Sequence, residues 1–256
     1  MGDGINDAPA LKAADVGISV NNAVDIAKDT ADIVLLEKDL NVLQDCIADG
    51  RRTFRNVVKY IKMGASSNFG NMFSMVGASI LLPFLPMLPI QILLNNMLYD
   101  FSQITIPTDN VDEDSLTKPT PWNIDFIKKF MFTMGPVSSL FDFITFGLLW
   151  YVFRASPEMF HTGWFIESLF TQTLIIWVIR TRKIPFIQSS PSSFLLYSSL
   201  AVILAGSLIV FSSIAKYFGF VALSPVLFIS LIIVSITYLF TTQIAKNLFI
   251  KKFGYE

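Results

Sequence analysis

Two groups of oxygen-bearing side chains have a spacing that could support chemistry. The first is the segment GDGIND (2–7), in which Asp3, Asn6 and Asp7 lie among glycines. Carboxylate and amide oxygens are the ligands that hard cations such as Mg²⁺ prefer. The segment therefore predicts a loop that holds a metal ion or a phosphate.

The second group consists of polar residues inside apolar segments, where such residues are costly and usually functional. Asn68 and Asn71 are three residues apart and share a helix face. Asn96, Asp100 and Gln103 follow at i, i+4 and i+7, again on one face. Amide oxygens with one carboxylate suit Mg²⁺ or Ca²⁺. The stripe contains no Cys or His, which argues against a soft metal.

Three residues are weaker candidates for the same ion site, namely Gln103 of the stripe, Asn95 and Glu167. Asn95 lies beside the stripe, and Glu167 lies near the outer end of a later apolar segment, where water would hydrate it. The alternative for Asn68 and Asn71 is hydrogen bonding between neighbouring helices without any ion. A lone carboxylate deep in an apolar segment, such as Asp100, favours the functional interpretation.

The composition places both groups in a membrane protein. Of the 256 residues, 53% are hydrophobic and 15% are charged, whereas soluble domains are about 25% charged. The apolar excess begins after residue 62, so a small soluble head precedes the membrane part. The net charge of −1 gives no indication of nucleic-acid binding, and the single Cys46 excludes an internal disulfide.

A transmembrane helix needs about 20 apolar residues. The sequence predicts six, at about 60–83, 88–107, 128–153, 163–180, 194–213 and 224–247. His161 falls in a predicted outer loop and is expected to be solvated. With the head inside, fourteen Lys and Arg residues lie in the inner segments near the spans and only Arg154 and Lys216 lie outside. The positive-inside rule then places both termini in the cytoplasm.

The head alternates between strand-like and helical segments. VGISV (16–20) and DIVLL (32–36) resemble strands, and residues 22–31 between them have helical spacing. This order predicts part of a parallel α/β sheet. The segment is too small for a complete core, so we expect residues 1–50 to belong to a larger domain. We expect residues 51–62 to form a stalk helix that enters the membrane domain, residues 60–256.

Three segments of the sequence resemble a known protein family. GDGINDAPALKAADVGISV (2–20) is similar to the hinge motif of the P-type ATPases, ion pumps that form an aspartyl-phosphate. Residues 95–112 and 179–189 further resemble the bacterial magnesium-transporting branch. The likeness covers essentially the whole chain. Calcium pumps carry more carboxylates on these helices, and Asn71 stands where they have an acid.

The resemblance implies a role for each residue of the loop. The head would be the C-terminal part of the phosphorylation domain, a Rossmann-like fold of the haloacid-dehalogenase type. Asp3, with Asp7, would bind the cofactor Mg²⁺ that acts with ATP. Asn6 and Asp7 would organise the phosphoryl group, and Gly2 and Gly4 would allow a tight turn near it. The fold class would be mostly α, with six membrane helices after a partial α/β segment.

The sequence also departs from the family pattern. It has no D-K-T-G-T phosphorylation motif, nucleotide-binding domain or actuator domain, and no counterpart of the first four membrane helices. We therefore interpret it as the C-terminal portion of a pump that imports Mg²⁺ across the bacterial plasma membrane, inactive without its N-terminal half. The alternatives are a pump for Ca²⁺ or another cation, or a standalone six-helix channel or regulatory protein with a degenerate head.

Overall fold

The computed structural model describes residues 1–37, 39–113 and 116–254. It divides the chain into two compact units, Met1–Thr53 and Phe54–Glu256.

The first unit contains a small α/β arrangement. Its elements are α1 (Ala8–Ala13), β1 (Ile18–Val20), α2 (Asp25–Thr30), β2 (Ile33–Leu35) and the start of α3 (Leu40–Leu81). The two strands pair in parallel with Ile18 opposite Ile33. Because parallel strands need a crossover, α2 connects them. A small apolar core lies beneath, formed by Leu11, Val20, Ala23, Ala27 and Leu35.

The second unit is helical. It continues along α3 and contains α4 (Pro89–Gln103), α5 (Ile124–Gly147), α6 (Pro157–Ile179), α7 (Ser193–Phe211) and α8 (Pro225–Phe253). A π-helical turn, Leu148–Val152, extends α5, and 3₁₀ turns follow α4 at Ile106–Thr108 and α7 at Ala215–Phe218.

Local sequence determines where the last four helices begin. The side chain before each helix accepts a hydrogen bond from a backbone N–H in the first turn, and these caps are Asn123, Ser156, Ser192 and Ser224. Such caps satisfy backbone donors that have no partner within the helix. Pro157 and Pro225 also occupy the first turn, where proline costs no hydrogen bond.

Helix α6 lies at the centre of the second unit. It packs against α4, α5, α7 and α8, and nearly all of its side chains are buried. Two apolar clusters surround it, one containing Phe160, Phe165 and Leu227 and the other Ile176 and Phe130. The central position explains why α6 has no polar face despite its polar residues.

Four helices of the described chain are long and apolar enough to cross a membrane: Ile124–Val152, Pro157–Ile179, Ser193–Phe211 and Pro225–Phe253. They correspond to the last four predicted spans. Helix α4 has 15 residues, short of the roughly 20 that a bilayer requires, and α3 carries too many polar residues over its length. The first two spans therefore stay predictions.

Two predictions were wrong near α6, one about its first residue and one about His161. The helix begins at Pro157 rather than at 163, because Ser156 caps it. His161 consequently lies within α6 and is buried, and its Nε2 is 2.7 Å from the carbonyl oxygen of Leu85. The expectation that His161 is solvated was therefore also wrong.

A buried ionic cluster, which we call the Asp109 cluster, joins α3 to the chain after α4, the end of α6 and the start of α7. The carboxylate of Asp109 accepts hydrogen bonds from Lys59 Nζ (2.8 Å), from Arg180 Nε (2.8 and 3.0 Å) and from the backbone N–H of Ser192 (3.1 Å). Arg180 also donates to the carbonyl of Asn110. Burial lowers the pKa of Lys59 below 10.5, and the neighbouring Asp109 only partly opposes this shift.

Candidate functional site

Asp7 organises the glycine-rich loop of the first unit. Its Oδ2 accepts hydrogen bonds from the backbone N–H groups of Asp3 and Gly4, both at 2.9 Å. A side chain at position 2 would not fit, since a Cβ on Gly2 would lie 2.4 Å from the Cβ of Asp7. The loop thus depends on glycine for a close approach rather than for an unusual backbone angle.

The same loop is attached to the first strand. The N–H of Gly2 donates to the carbonyl of Ile18, and the hydroxyl of Ser19 donates to the carbonyl of Gly2. The side chains of Asp3 and Asn6 are exposed. The structure therefore brings Asp3, Asn6 and Asp7 into one turn with two side chains facing solvent.

The second candidate site is a cavity of about 270 Å³ between α3, α4 and α6. Its polar lining consists of Asn68, Asn71, Asn95, Asn96 and Ser168, and its apolar lining of Met72, Met75, Val76, Met87, Ile92 and Trp164. All four of the asparagines chosen from the sequence face this one space. We call it the asparagine cavity.

The other three sequence candidates do not line the asparagine cavity. Asp100 is exposed one turn beyond Asn96 on α4. Gln103 is buried at the end of α4. Glu167 is only 1% exposed, so its expected hydration near an outer end was wrong. The reason is that α6 is enclosed by other helices along its whole length.

Ser168 accepts one hydrogen bond that joins α4 to α6 and one from within α6. Asn95 Nδ2 donates to the hydroxyl of Ser168 at 3.0 Å, and Gln172 Nε2 donates to the same hydroxyl at 2.5 Å. In the described part of the chain, the buried Oδ1 of Asn95 has no hydrogen-bond partner. Buried acceptors are normally paired, so this oxygen is available to a ligand.

Ser168 and Trp164 were missed by the sequence reasoning. They lie four residues apart on α6, and both reach the asparagine cavity. Serine and tryptophan are ordinary residues in membrane helices, so neither attracts attention by its type. Their spacing matches one helix face, which was the only available signal.

The asparagine cavity has the chemistry of a site for a hard, partly hydrated cation. Among the residues that the structure describes, no group of three or more His, Cys, Asp or Glu side chains could hold a metal. The ligands on offer are amide and hydroxyl oxygens. Six water molecules occupy about 180 Å³ at roughly 30 Å³ each, which is within the size of the cavity. A cation could therefore enter with most of its water shell.

Comparison with known proteins identifies the family. The sequence family described as cation transporting ATPase, C-terminus, matches residues 84–248. The chain belongs to the cation-transporting ATPase family. The matched region includes α4 to α7 and most of α8, and therefore contains α4 and α6 of the asparagine cavity.

Individual relatives agree with this assignment. The chain is 52% identical over its full length to a magnesium-transporting ATPase, P-type 1, of Salmonella typhimurium, and 51% identical to that of Escherichia coli. It is also 39% identical over 100 residues to a calcium-transporting ATPase of Bacillus subtilis, which covers 39% of this chain and 11% of the relative. The chain spans 29% of the length of the two magnesium-transporting relatives.

Proposed function

We propose that this chain is the C-terminal portion of a P-type pump that imports Mg²⁺, and that the asparagine cavity is part of its transport site. The observation that carries the proposal is the convergence of Asn68, Asn71, Asn95 and Asn96 on one cavity. The similarity along the full length to ATPases named as magnesium-transporting supports the choice of cargo.

The asparagines would bind the ion mainly through its water shell. Mg²⁺ gives up its water reluctantly and is usually held by one or two carboxylates with several waters retained. The amide oxygens of Asn71 and Asn96 accept hydrogen bonds from such waters, and the unpaired Oδ1 of Asn95 is placed to do the same. Asp100, exposed beyond Asn96, would supply negative charge beside the cavity. Gln103 and Glu167 lie outside this first set of ligands.

The first unit would be the C-terminal part of a phosphorylation domain of the haloacid-dehalogenase type. Residues 1–50 provide the loop, and residues 51–62 lead into the membrane domain. The exposed carboxylate of Asp3 suits the cofactor Mg²⁺, which in phosphoryl transfer neutralises charge on the transferred group. Asp7 holds the backbone of the loop, and Asn6 lies in the same turn. The phosphorylated aspartate and the ATP site would belong to the N-terminal half.

The membrane arrangement would include α3 and α4 as two further spans. Their asparagines face the same cavity as the membrane helix α6, which supports a position within the bilayer. Six spans place both termini on one side, and the Lys and Arg distribution favours the cytoplasmic side of a bacterial plasma membrane.

The test is a chimeric pump in which this chain replaces the matching region of the Salmonella typhimurium relative. Cells that lack other Mg²⁺ importers would be assayed for Mg²⁺ uptake. We expect uptake by the chimeric pump, and a loss of at least about tenfold in Asn71→Ala and Asn96→Ala, since each removes an amide ligand. Asn247→Ala is the matched control, because Asn247 is exposed on α8 away from the cavity.

Three outcomes would contradict the proposal. Undiminished Mg²⁺ uptake in both Asn71→Ala and Asn96→Ala would mean that the asparagine cavity is not the transport site. Ca²⁺-stimulated turnover without Mg²⁺ uptake would change the cargo. Full activity in Asp3→Asn would favour a standalone membrane protein with a degenerate head, because a pump needs that carboxylate for its cofactor.

A further inference from the structure

Asp142 connects three helices inside the second unit. It lies on α5 and is only 2% exposed. Its Oδ2 accepts a hydrogen bond from the hydroxyl of Ser74 on α3 at 2.6 Å, and its Oδ1 accepts one from the indole N–H of Trp164 on α6 at 2.9 Å. Both donors are themselves buried. A carboxyl group is expensive at this depth and is usually retained for a function.

Ser74 and Trp164 lie on two of the helices that line the asparagine cavity, α3 and α6. Ser74 lies three residues after Asn71, so the two share a face of α3. Trp164 lines the cavity directly, one turn before Ser168 on α6. Asp142 itself does not line the cavity. One carboxyl group outside the lining therefore bonds to both α3 and α6.

A simpler role, hydrogen bonding between helices alone, can be compared within the same pair of helices. The hydroxyl of Ser139 on α5 donates to the carbonyl of Gly70 on α3 at 3.0 Å and is equally buried. That bond joins α5 to one wall only. Asp142 differs because its two oxygens bond to different helices, and these bonds fix the distance between α3 and α6.

We propose that Asp142 is a positioning residue for the ion site. Through Ser74 and Trp164 it sets the distance between α3 and α6 across the asparagine cavity, and so sets the affinity for the cation without touching it. This inference rests on the proposed function of the asparagine cavity.

The chimeric pump provides the test, with apparent KM for Mg²⁺ and kcat measured separately. We expect Asp142→Ala to raise KM about 5- to 30-fold with a smaller change in kcat, the factor that a loss of about 1–2 kcal/mol gives. Asp142→Asn should stay close to the unsubstituted chimera, because an amide can accept from Trp164 and donate to Ser74. Ser139→Ala is the matched control and should leave KM unchanged.

Two results would overturn the positioning role. One is an equal rise in KM in Asp142→Asn and Asp142→Ala, which would mean that the charge rather than the geometry is needed. The other is a rise in Asp142→Ala no larger than in Ser139→Ala. If Asp142→Ala does not reach the membrane, Ser74→Ala and Trp164→Phe each remove one of the two bonds. We then expect a rise of about threefold from each, and unchanged KM in both would refute the role.

Failure of this inference is distinguishable from failure of the proposed function. If Asn71→Ala and Asn96→Ala both transport normally, the asparagine cavity is not the transport site and this part of the proposed function fails. If Asn71→Ala loses transport while Asp142→Ala keeps the original KM, only the positioning role fails.

Discussion

The Asp109 cluster gives the sharpest prediction about stability. Asp109→Ala removes the one carboxylate that accepts from Lys59, Arg180 and the N–H of Ser192. The side chains are almost completely enclosed, at 0% exposed for Asp109, 1% for Arg180 and 9% for Lys59. Two cations would then stay buried with neutral oxygens as their hydrogen-bond acceptors, although Asp112 still lies near both.

The magnitude follows from this enclosure. Removing one partner of a buried ion pair costs about 3–5 kcal/mol, because the remaining charge is left without compensation. Lys59 keeps a bond to the carbonyl of Asn110, and Arg180 keeps bonds to Ser189 and Asn110. Because these bonds remain, we expect the free energy of unfolding to fall by an amount within that range rather than above it.

The change in the free energy of unfolding would be measured on the purified chain in mixed detergent micelles, by titration with a denaturing detergent. Asp125→Ala is the control, since Asp125 pairs with Lys128 at 3.6 Å with both side chains mostly exposed. Exposed pairs contribute little, so no resolvable change is expected there. A free energy of unfolding for Asp109→Ala within about 1 kcal/mol of the unsubstituted chain would refute the argument from burial.

Three further predictions concern other parts of the chain. Lys246→Met should destabilise the protein by about 1–3 kcal/mol in the same assay, because its buried ammonium donates to three carbonyls at the end of α6. Burial lowers the pKa of Lys59 below 10.5, so the folded chain loses this proton at a lower pH than the unfolded chain does. The free energy of unfolding should therefore increase as the pH rises towards 10.5. Lys59→Met should abolish this increase, and an unchanged slope of unfolding free energy against pH would contradict the prediction. Gly2→Ala should displace Asp7 and speed hydrogen exchange at Asp3 and Gly4, whereas protection equal to that of the unsubstituted chain would show that the loop tolerates a Cβ.

Much of the helical architecture could be predicted from local sequence. The starts of α7 and α8 follow from a capping serine and, for α8, a proline, and both predicted spans begin within one residue of the helix. The start of α6 was missed because residues 154–162 contain several polar residues and were interpreted as a loop. Because α6 is buried on all sides, its sequence lacks the alternation of apolar and polar faces that would indicate where the helix begins.

The candidate site was predictable only where residue type was unusual. Asparagines in apolar segments stand out, and four of them line the asparagine cavity. The bonds of Asp142 to Ser74 and Trp164 join residues 68 and 22 positions apart. Such pairings depend on how the helices pack, which single-sequence patterns do not encode. Asp100 shares a helical face with Asn96 but does not line the cavity, because it lies one turn further along α4.

The enclosed position of α6 has a consequence for how the chain enters the membrane during synthesis. Helix α6 is less apolar than α7 and α8, and 89% of its most apolar stretch is covered by protein. Much of that cover comes from α7 and α8, which leave the ribosome after α6. Glu167 and Gln172 would meanwhile face lipid or the translocation channel, at a cost of a few kcal/mol for a charged group. We therefore expect α6 to insert poorly in chains truncated before α8, and glycosylation-site mapping of such truncations would measure this dependence.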